Sequence, residues 1–450
     1  MKITKIAAAL MLSGAISLLS VANATGDYVF RTENSYNTDS INVQQYDGYT
    51  HVFSFVVLSK GAMGYQNINN FDDLYHSLAR CDKEKMLTDE GTELFNLIKA
   101  LRPTITKLSK TALTPVGVGD VSKIGTDFGK PRAGLIKSKA TYDKEINIQF
   151  VYDGDPLALE TGEKFVLGIT NNLPEDNVIV YDEIKDESKL AFFYSTEYKN
   201  YLNNYPELEK ALGKMRVEKQ YKSYVESVLP RILKKAKVDE LVHLGFSTGT
   251  SRIDDKDFVN DLYLFYQILP NIDKILAQKY STLMDTVLRP NEREFFAKME
   301  DRAAYYKFGP GFKNNRIGVY SGKKIVKEIV EDLIAINSEE PLKVMVLDAR
   351  ALISLESYLF RDEFDEIDSN EKISESQSSF SVSEYAPLSS LLIFDLYKNA
   401  DAKYFARITL NGKTKKVNKD WDSAKKTDLY DLSLVLGTLD NKDISEREPE

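Results

Sequence analysis

The sequence predicts an α/β protein whose sheet comes from two separated groups of strands, with a mainly helical region inserted between them. Short runs rich in β-branched and aromatic residues are typical of buried strands. They lie at 51–58, 146–153, 177–184, 343–349, 390–397 and 404–412. From residue 188 to about residue 307 the hydrophobic periodicity is mostly helical. Because helices and strands alternate on both sides of this region, we expect the sheet to resume after the insertion.

Helices are predicted between the strands from the spacing of their apolar residues. Residues 89–110 carry leucines and an isoleucine at helical spacing, and we expect Pro103 to interrupt this helix. Residues 113–129 are expected to form a helix that a proline begins and Gly129 ends. A further helical pattern at 323–336 precedes the strand predicted at 343–349, which supports the resumed sheet.

The first 24 residues have the order of a secretory signal peptide. Lys2 and Lys5 precede an apolar run from Ile6 to Val21, and a small-residue pattern ends at Ala24. A retained anchor helix is the alternative, although the run is short for a membrane span. No later stretch reaches eighteen uninterrupted apolar residues. We therefore expect an exported protein, periplasmic or secreted, without a membrane span after cleavage.

The mature chain is long for one small core, so a large domain with an insertion or two domains are expected. The predicted organisation is a signal peptide at 1–24, the first part of the α/β domain at 25–187 and a mainly helical domain at 188–310. The second part of the α/β domain follows at 311–440 and a flexible tail at 441–450.

Composition and spacing exclude several classes of function. The chain has 68 acidic and 59 basic residues, and the basic residues are scattered, so nucleic acid is not an expected partner. Cys81 is the only cysteine and cannot form a disulfide within the chain, and a reactive thiol is the less favoured interpretation. The runs 246–252 and 308–316 lack the spacing of a phosphate-binding loop, and 361–369 lacks that of an EF-hand. Neither a cofactor nor a metal is expected.

Three segments carry a family resemblance. They are LTPVGVGDVSKIGTDF at 113–128, INIQFVYDGDPLALETGEKFVLGI at 146–169 and APLSSLLIFDLYKNADAKYFARITLNGK at 386–413. Together with the order of elements from Tyr49 to Asp440, they resemble the histidine acid phosphatases, the second branch of the histidine phosphatase superfamily, which includes the phytases. The resemblance implies a phosphoglycerate mutase-like fold, in which a central mixed sheet is flanked by helices. It also implies a cleft between sheet and helical domain, where active members hold phosphate.

The same resemblance implies that the catalytic residues are missing. Active members carry Arg-His-Gly-x-Arg-x-Pro after the first strand, where this chain has Lys60 for the histidine and Ser59 and Met63 for the arginines. A third phosphate-binding arginine corresponds to Val151. The family's His-Asp pair, a phosphate contact and the general acid, falls on Asp348 and Ala349.

The histidine count supports this interpretation, because phosphohistidine chemistry needs an imidazole nucleophile. The chain contains only His51, His76 and His243, none near the expected position, and each is interpreted as structural or exposed. If the fold is as predicted, Lys60 and Asp348 face each other across the cleft in which active members of the family hold phosphate. We expect an ion pair there, joined by Arg350, either as structural filling or as a residual binding cleft.

Three functions remain open from the sequence. The preferred hypothesis is a catalytically inactive pseudophosphatase that binds an unidentified small anion or a partner protein. The first alternative is an acid phosphomonoesterase, a phosphatase-like or phytase-like hydrolase with an atypical site. The second is a scaffold that uses the acidic, serine-rich loop at 361–384 as its contact element. A fold alone does not decide among them.

Overall fold

The structure, a computed structural model, describes residues 2–3, 41–65, 68–108, 111–216, 218–248, 252–336, 339–364, 380–418, 420–421 and 428–440. Apart from Lys2 and Ile3, the predicted signal peptide lies outside these residues. The predicted tail and most of the acidic loop at 361–384 lie outside them as well.

The strands confirm the predicted α/β class with a mixed central sheet. They are β1 (Lys2–Ile3), β2 (Tyr49–Ser59), β3 (Glu145–Tyr152), β4 (Val178–Lys185), β5 (Phe246–Ser247), β6 (Arg252–Ile253), β7 (Leu342–Leu347), β8 (Leu391–Asn399), β9 (Tyr404–Leu410), β10 (Lys413–Thr414) and β11 (Leu429–Asp431). The main sheet has the order β1-β4-β3-β7-β2-β8-β9-β10, with β11 also on β9. Strands β4, β3, β7 and β2 are parallel to one another, β8 is antiparallel to β2, and β9 is antiparallel to β8.

The helices surround this sheet and build a second unit. They are α1 (Ile68–Lys83), α2 (Asp89–Lys107), α3 (Pro115–Ser138), α4 (Pro156–Thr170), α5 (Glu187–Leu190), α6 (Thr196–Asn204), α7 (Pro206–Arg216), α8 (Lys219–Ile232), α9 (Lys235–Leu244), α10 (Asp255–Ile272), α11 (Lys274–Lys279), α12 (Ser281–Val287), α13 (Pro290–Lys307), α14 (Ile317–Ile334), α15 (Ala349–Leu359), α16 (Val382–Tyr385) and α17 (Leu432–Asp440). Short 3-10 helices lie at Phe192–Tyr194 and Arg361–Glu363.

Strand β2 is the centre of the sheet and is buried on both faces. Phe55 and Val57 pack into the apolar cluster on one face, and Val56 and Leu58 pack into the cluster on the other. This is the alternation that a period of two residues produces in a strand. A strand covered on both faces can be apolar without interruption, which is why the run at 51–58 predicted it correctly.

The helical unit is larger than the insertion predicted from periodicity. Buried residues of α1 and α2, such as Phe71 and Leu94, share one apolar cluster with Val225, Phe258 and Phe296 of the inserted region. The sequence places α1 and α2 between two strands, and on that ground they were predicted to belong to the sheet domain. Their apolar faces are instead covered by helices that follow more than a hundred residues later in the chain.

Two predicted helix interruptions are wrong. Helix α2 continues through Pro103 to Lys107, and α3 continues past Gly129 to Ser138. Two glycines of α3 serve close packing against α4, since a Cβ at Gly125 would lie 2.0 Å from the backbone oxygen of Phe165 and one at Gly129 would lie 3.2 Å from Ile169 Cα. Glycine in this pattern therefore marks the contact of two helices and not the end of one.

A fully buried ionic network joins α3 to the sheet. The guanidinium of Arg132 donates to both carboxylate oxygens of Asp395, at 2.8 and 3.0 Å, and to Ser54 Oγ at 3.1 Å. Arg132 and Asp395 are 2% and 0% exposed, and the Arg132 guanidinium lies 4.2 Å from the ring centroid of Phe128. Burial alone would raise the pKa of Asp395, but Arg132, His51 and Ser54 lower it below its ordinary range.

We predict that Arg132→Met destabilises the protein by about 3–5 kcal/mol, because Asp395 loses its cation while remaining buried. The free energy of unfolding in urea measures this loss. Arg132→Met combined with Asp395→Leu should be more stable than Arg132→Met alone. Lys123→Met on the same helix, where the exposed pair with Asp127 is broken, should cost about 0.5 kcal/mol or less. Equal losses at positions 132 and 123 would contradict the argument.

Candidate functional site

Three neighbouring parallel strands end at one edge of the sheet. The order β3-β7-β2 places their carboxyl ends side by side. Lys60 follows β2, Asp153 follows β3 and Asp348 follows β7. In α/β sheets the crevice outside the carboxyl ends of the strands is the usual position of ligands and catalytic groups. This edge is therefore the candidate site.

The ammonium of Lys60 lies at the centre of three carboxylates. Lys60 Nζ is 2.8 Å from Asp155 Oδ2, 2.9 Å from Asp153 Oδ2 and 3.4 Å from Asp348 Oδ2. The ion pair expected from the sequence between Lys60 and Asp348 is present, although it is the longest of the three. Lys60 is only 8% exposed, so this charge is held almost out of water. We call Lys60, Asp153, Asp155, Asp348 and Arg350 the ion cluster.

Asp153 and Asp155 were not among the site residues predicted from the sequence. Asp155 is the N-cap of α4, where its Oδ1 accepts from Leu157 N at 3.0 Å. Asp153 Oδ1 accepts from Asp155 N at 3.1 Å, across Gly154 with its φ of 87°. The available signal was the run Asp-Gly-Asp-Pro directly after a parallel strand, because an aspartate before proline is typical of a helix start.

Arg350 completes the cluster on the side of β7. Its Nε donates to Asp348 Oδ1 at 2.8 Å and its Nη2 to Asp348 Oδ2 at 3.0 Å. The guanidinium lies 3.9 Å from the ring centroid of Phe193, and Nη2 also donates to the hydroxyl of Tyr194 at 3.3 Å. Asp348 is in addition the N-cap of α15. A bidentate pair stacked on an aromatic ring holds Arg350 in one orientation.

The carboxylates set the protonation states of the cluster. Burial would lower the pKa of Lys60, but Asp348 and Asp153 raise it above its ordinary value, so the amine stays protonated. Burial would likewise raise the pKa of Asp348, yet the hydrogen bonds of Arg350 lower it to about 2. For Asp153 burial prevails and raises the pKa. With all groups ionised, three carboxylates face two cations, and the cluster is negative by one charge.

The other positions that the resemblance assigns to catalytic residues lie in structural contacts. Ser59 Oγ donates to the Pro387 carbonyl at 2.9 Å and accepts from Ser390 N at 2.7 Å, which fixes the end of β2 to the start of β8. Val151 is buried among apolar residues of the sheet, and Ala349 packs against the same cluster. Met63 forms an isolated bridge with Leu113.

The histidines do not border the ion cluster. His51 is on β2 nine residues before Lys60, which is roughly 30 Å along an extended strand. Its Nε2 is 3.1 Å from Ser54 Oγ and 3.2 Å from Asp395 Oδ1. A catalytic triad uses one ring nitrogen for serine and the other for the acid, so this group is not one. His76 and His243 are exposed on α1 and α9.

Three other features bear on function in the described part of the chain. Burial raises the pKa of the Cys81 thiol to about 12, which disfavours a thiolate nucleophile. No group of three or more His, Cys, Asp or Glu residues there is arranged to hold a metal ion. Within the same residues, no helix has the length and apolar character needed to cross a membrane.

Comparison with known proteins gives a clear result for the fold. No family model matches the chain, and no curated protein matches it. The multiple inositol polyphosphate phosphatase of Bifidobacterium longum, solved with inositol hexasulfate, has a TM-score of 0.77 at 13% identity, covering 92% of this chain and 97% of that chain. Its apo form has a TM-score of 0.78 at 12% identity with the same coverage. The phytase from D. castellii has a TM-score of 0.63 at 13% identity, covering 92% of this chain and 84% of that chain.

At these identities the likeness is one of fold. The chain therefore has the α/β fold with a helical domain that these phosphatases share, and the resemblance to histidine acid phosphatases is confirmed at that level. The loss of the catalytic residues and the role of the ion cluster stay predictions.

We predict that Lys60→Met lowers the free energy of unfolding by about 3–5 kcal/mol near neutral pH, because three carboxylates lose their shared cation. Lys60 has a raised pKa, so its contribution is complete below its unfolded pKa of about 10.4 and is lost as the pH rises further. Asp348 has a lowered pKa, so its contribution is lost as the pH falls from about 4 towards 2. The difference between wild type and variant should therefore narrow in acid.

Urea denaturation at about pH 7 measures the loss of stability, and at about pH 3 it measures the narrowing of the difference in acid. Lys235→Met is the matched control, since Lys235 is 88% exposed and its pair with Asp239 is on the surface. The control should change stability by about 0.5 kcal/mol or less at either pH. A Lys60→Met protein as stable as the control would show that the cluster does not hold the strand ends together.

Proposed function

We propose that this chain is an exported protein with a phosphatase fold and no phosphatase activity, which acts by binding a ligand or a partner protein. One observation carries the proposal. At the strand end where the resemblance places a histidine nucleophile, Lys60 stands with its ammonium bound by three carboxylates. The chain's three histidines all lie elsewhere.

The chemistry of phosphoryl transfer supports this proposal. A phosphohistidine mechanism needs a neutral imidazole to attack phosphorus, cations around the phosphate oxygens and an acid for the leaving group. The amine of Lys60 stays protonated, because Asp348 and Asp153 raise its pKa, and it has no lone pair for attack. Arg350 is engaged by Asp348. A cluster with one excess negative charge repels a phosphate group.

The anions bound in one structural neighbour contrast with the charge of the ion cluster in this chain. The phosphatase from Bifidobacterium longum was solved with phosphate and with inositol hexasulfate. A site for such highly charged anions needs a surplus of donors and positive charge. The ion cluster of this chain has more carboxylates than cations, and this charge balance supports the proposal that the edge of the sheet no longer binds such anions.

Most of the loop at 361–384, the contact element of the scaffold alternative, lies outside the described residues.

The test is hydrolysis of an aryl phosphate by the purified mature protein between about pH 4 and pH 7.5, beside an active acid phosphatase. We expect the wild type and Lys60→Ala to be equal to the background rate, because neither has a nucleophile for phosphorus. Turnover well above background that Lys60→Ala abolishes would instead establish the alternative of an acid phosphomonoesterase with an atypical site. The mass of the exported protein, which should begin near Thr25, tests the export part of the proposal.

A further inference from the structure

A buried carboxyl group on α15 has no hydrogen-bond partner among the described residues. Glu356 is 1% exposed, and neither its Oε1 nor its Oε2 is bound by a donor there. Burying a polar group without a partner costs free energy, and burying a charge without one costs far more. The packing of α15 therefore does not explain why a glutamate is at this position.

Burial decides the protonation state of Glu356. It raises the pKa of the carboxyl well above its ordinary value, so Glu356 keeps its proton at a pH where exposed glutamates have lost theirs. Among the charged groups that face it, Lys415 favours the ionised form, whereas Glu384 and Glu363 oppose it. The side chain of Tyr385 faces it as well. Because a glutamate has a pKa of about 4.3 in the unfolded chain, the stability that this group allows falls as the pH rises from there until Glu356 ionises.

Lys415 holds two segments of the chain together. Its Nζ is 3.1 Å from Glu363 Oε2, in the short 3-10 helix after α15, and 3.3 Å from Glu384 Oε1, in α16. The ammonium also lies 4.9 Å from the ring centroid of Tyr385, whose hydroxyl donates to Glu363 Oε2 at 2.8 Å. We call Lys415, Glu363, Glu384 and Tyr385 the α16 clamp.

The α16 clamp and an ionised Glu356 would compete for one cation. Asn418 N donates to Leu359 O at 2.8 Å, which holds the segment that follows Lys415 against the last turn of α15. The side chains of the two clamp carboxylates are 34% and 49% exposed, so water can replace Lys415 as their partner. Glu356 is buried and has no such substitute. Since exposed ion pairs are weak and an unpaired buried charge is costly, we expect Lys415 to shift to Glu356 once the proton is lost.

Helix α16 leads directly to the turn that fixes the end of β2. Ser390 Oγ donates to Tyr385 O at 3.1 Å, and Ser390 N donates to Ser59 Oγ at 2.7 Å. In the same turn, Ser389 N donates to Lys60 O at 3.1 Å. Hydrogen bonds therefore connect α16 to the strand end that carries the ion cluster.

We propose that Glu356 is a proton-operated switch for α16: the protonated carboxyl leaves Lys415 in the α16 clamp, and the ionised carboxyl takes Lys415 from it and loosens α16. The inference goes beyond the proposed function and does not depend on it, because an active phosphatase with an atypical site would contain the same contacts. With the proton bound, α16 is held and the end of β2 is fixed. As the pH rises, α16 opens locally while α15 and the sheet stay folded.

Hydrogen exchange followed by mass spectrometry at about pH 6 and about pH 9 tests the switch, with each rate divided by the intrinsic rate at that pH. In the wild type, the amides of 382–386 should lose protection by about tenfold or more at the higher pH, while those of α14 change by about twofold or less. Glu356→Gln keeps the shape of the protonated carboxyl and cannot ionise, so its α16 should stay protected at both pH values. Glu197→Gln is the matched control, because Glu197 is exposed, and it should behave as the wild type.

Lys415→Met distinguishes the α16 clamp from a general loss of stability. Without the ammonium, α16 should be poorly protected at both pH values, so the change with pH disappears. The proposal is wrong if α16 of the wild type changes no more than α14, or if Glu356→Gln shows the same change as the wild type. A change with pH that persists in Lys415→Met would also contradict it. Hydrogen exchange uses no phosphate ester, so these outcomes are independent of the turnover assay.

Discussion

The ammonium of Lys60 is the point at which the ends of three parallel strands and the starts of two helices are joined. Two of its carboxylate partners come from the turn between β3 and α4 and the third from the end of β7, so the cluster fixes the spacing of β2, β3 and β7 at their carboxyl ends. Removing these charges from water is costly, and the arrangement is stable only because every charge faces an opposite one. A sheet edge of this kind can be rigid without serving catalysis.

Strand β2 carries a second ionic contact further from that edge. Ser54, near the middle of the strand, contacts both Arg132 and Asp395, and the paired charges are buried between α3 and β8. Together the two networks tie β2 to its neighbours near its middle and at its end. The apolar clusters on both faces then fix its side chains, which accounts for a well-defined central strand.

The sequence was a good guide to local structure and a poorer one to distant contacts. Buried strands were predicted within two residues of their ends, because a short uninterrupted run of β-branched and aromatic residues is typical of a strand covered on both faces. Lys60 and Asp348 were linked through the family resemblance, which placed them on opposite sides of one cleft. Asp153 and Asp155 were missed because a run of aspartate, glycine and proline is equally typical of a simple turn. The packing of α1 and α2 on later helices also left no local signal.

On the proposed function, the cluster also explains why one substitution would not make this site a phosphatase. A histidine at position 60 would lie beside Asp153 and Asp155, whose negative charge would repel a phosphate group. Ser59 hydrogen-bonds the backbone and Val151 packs in the apolar core. Arg350 is hydrogen-bonded to Asp348. On the proposed function, phosphatase activity would therefore require a new nucleophile, new cations and the removal of two carboxylates together. Because those carboxylates hold the strand ends together, each change toward catalysis would first cost stability.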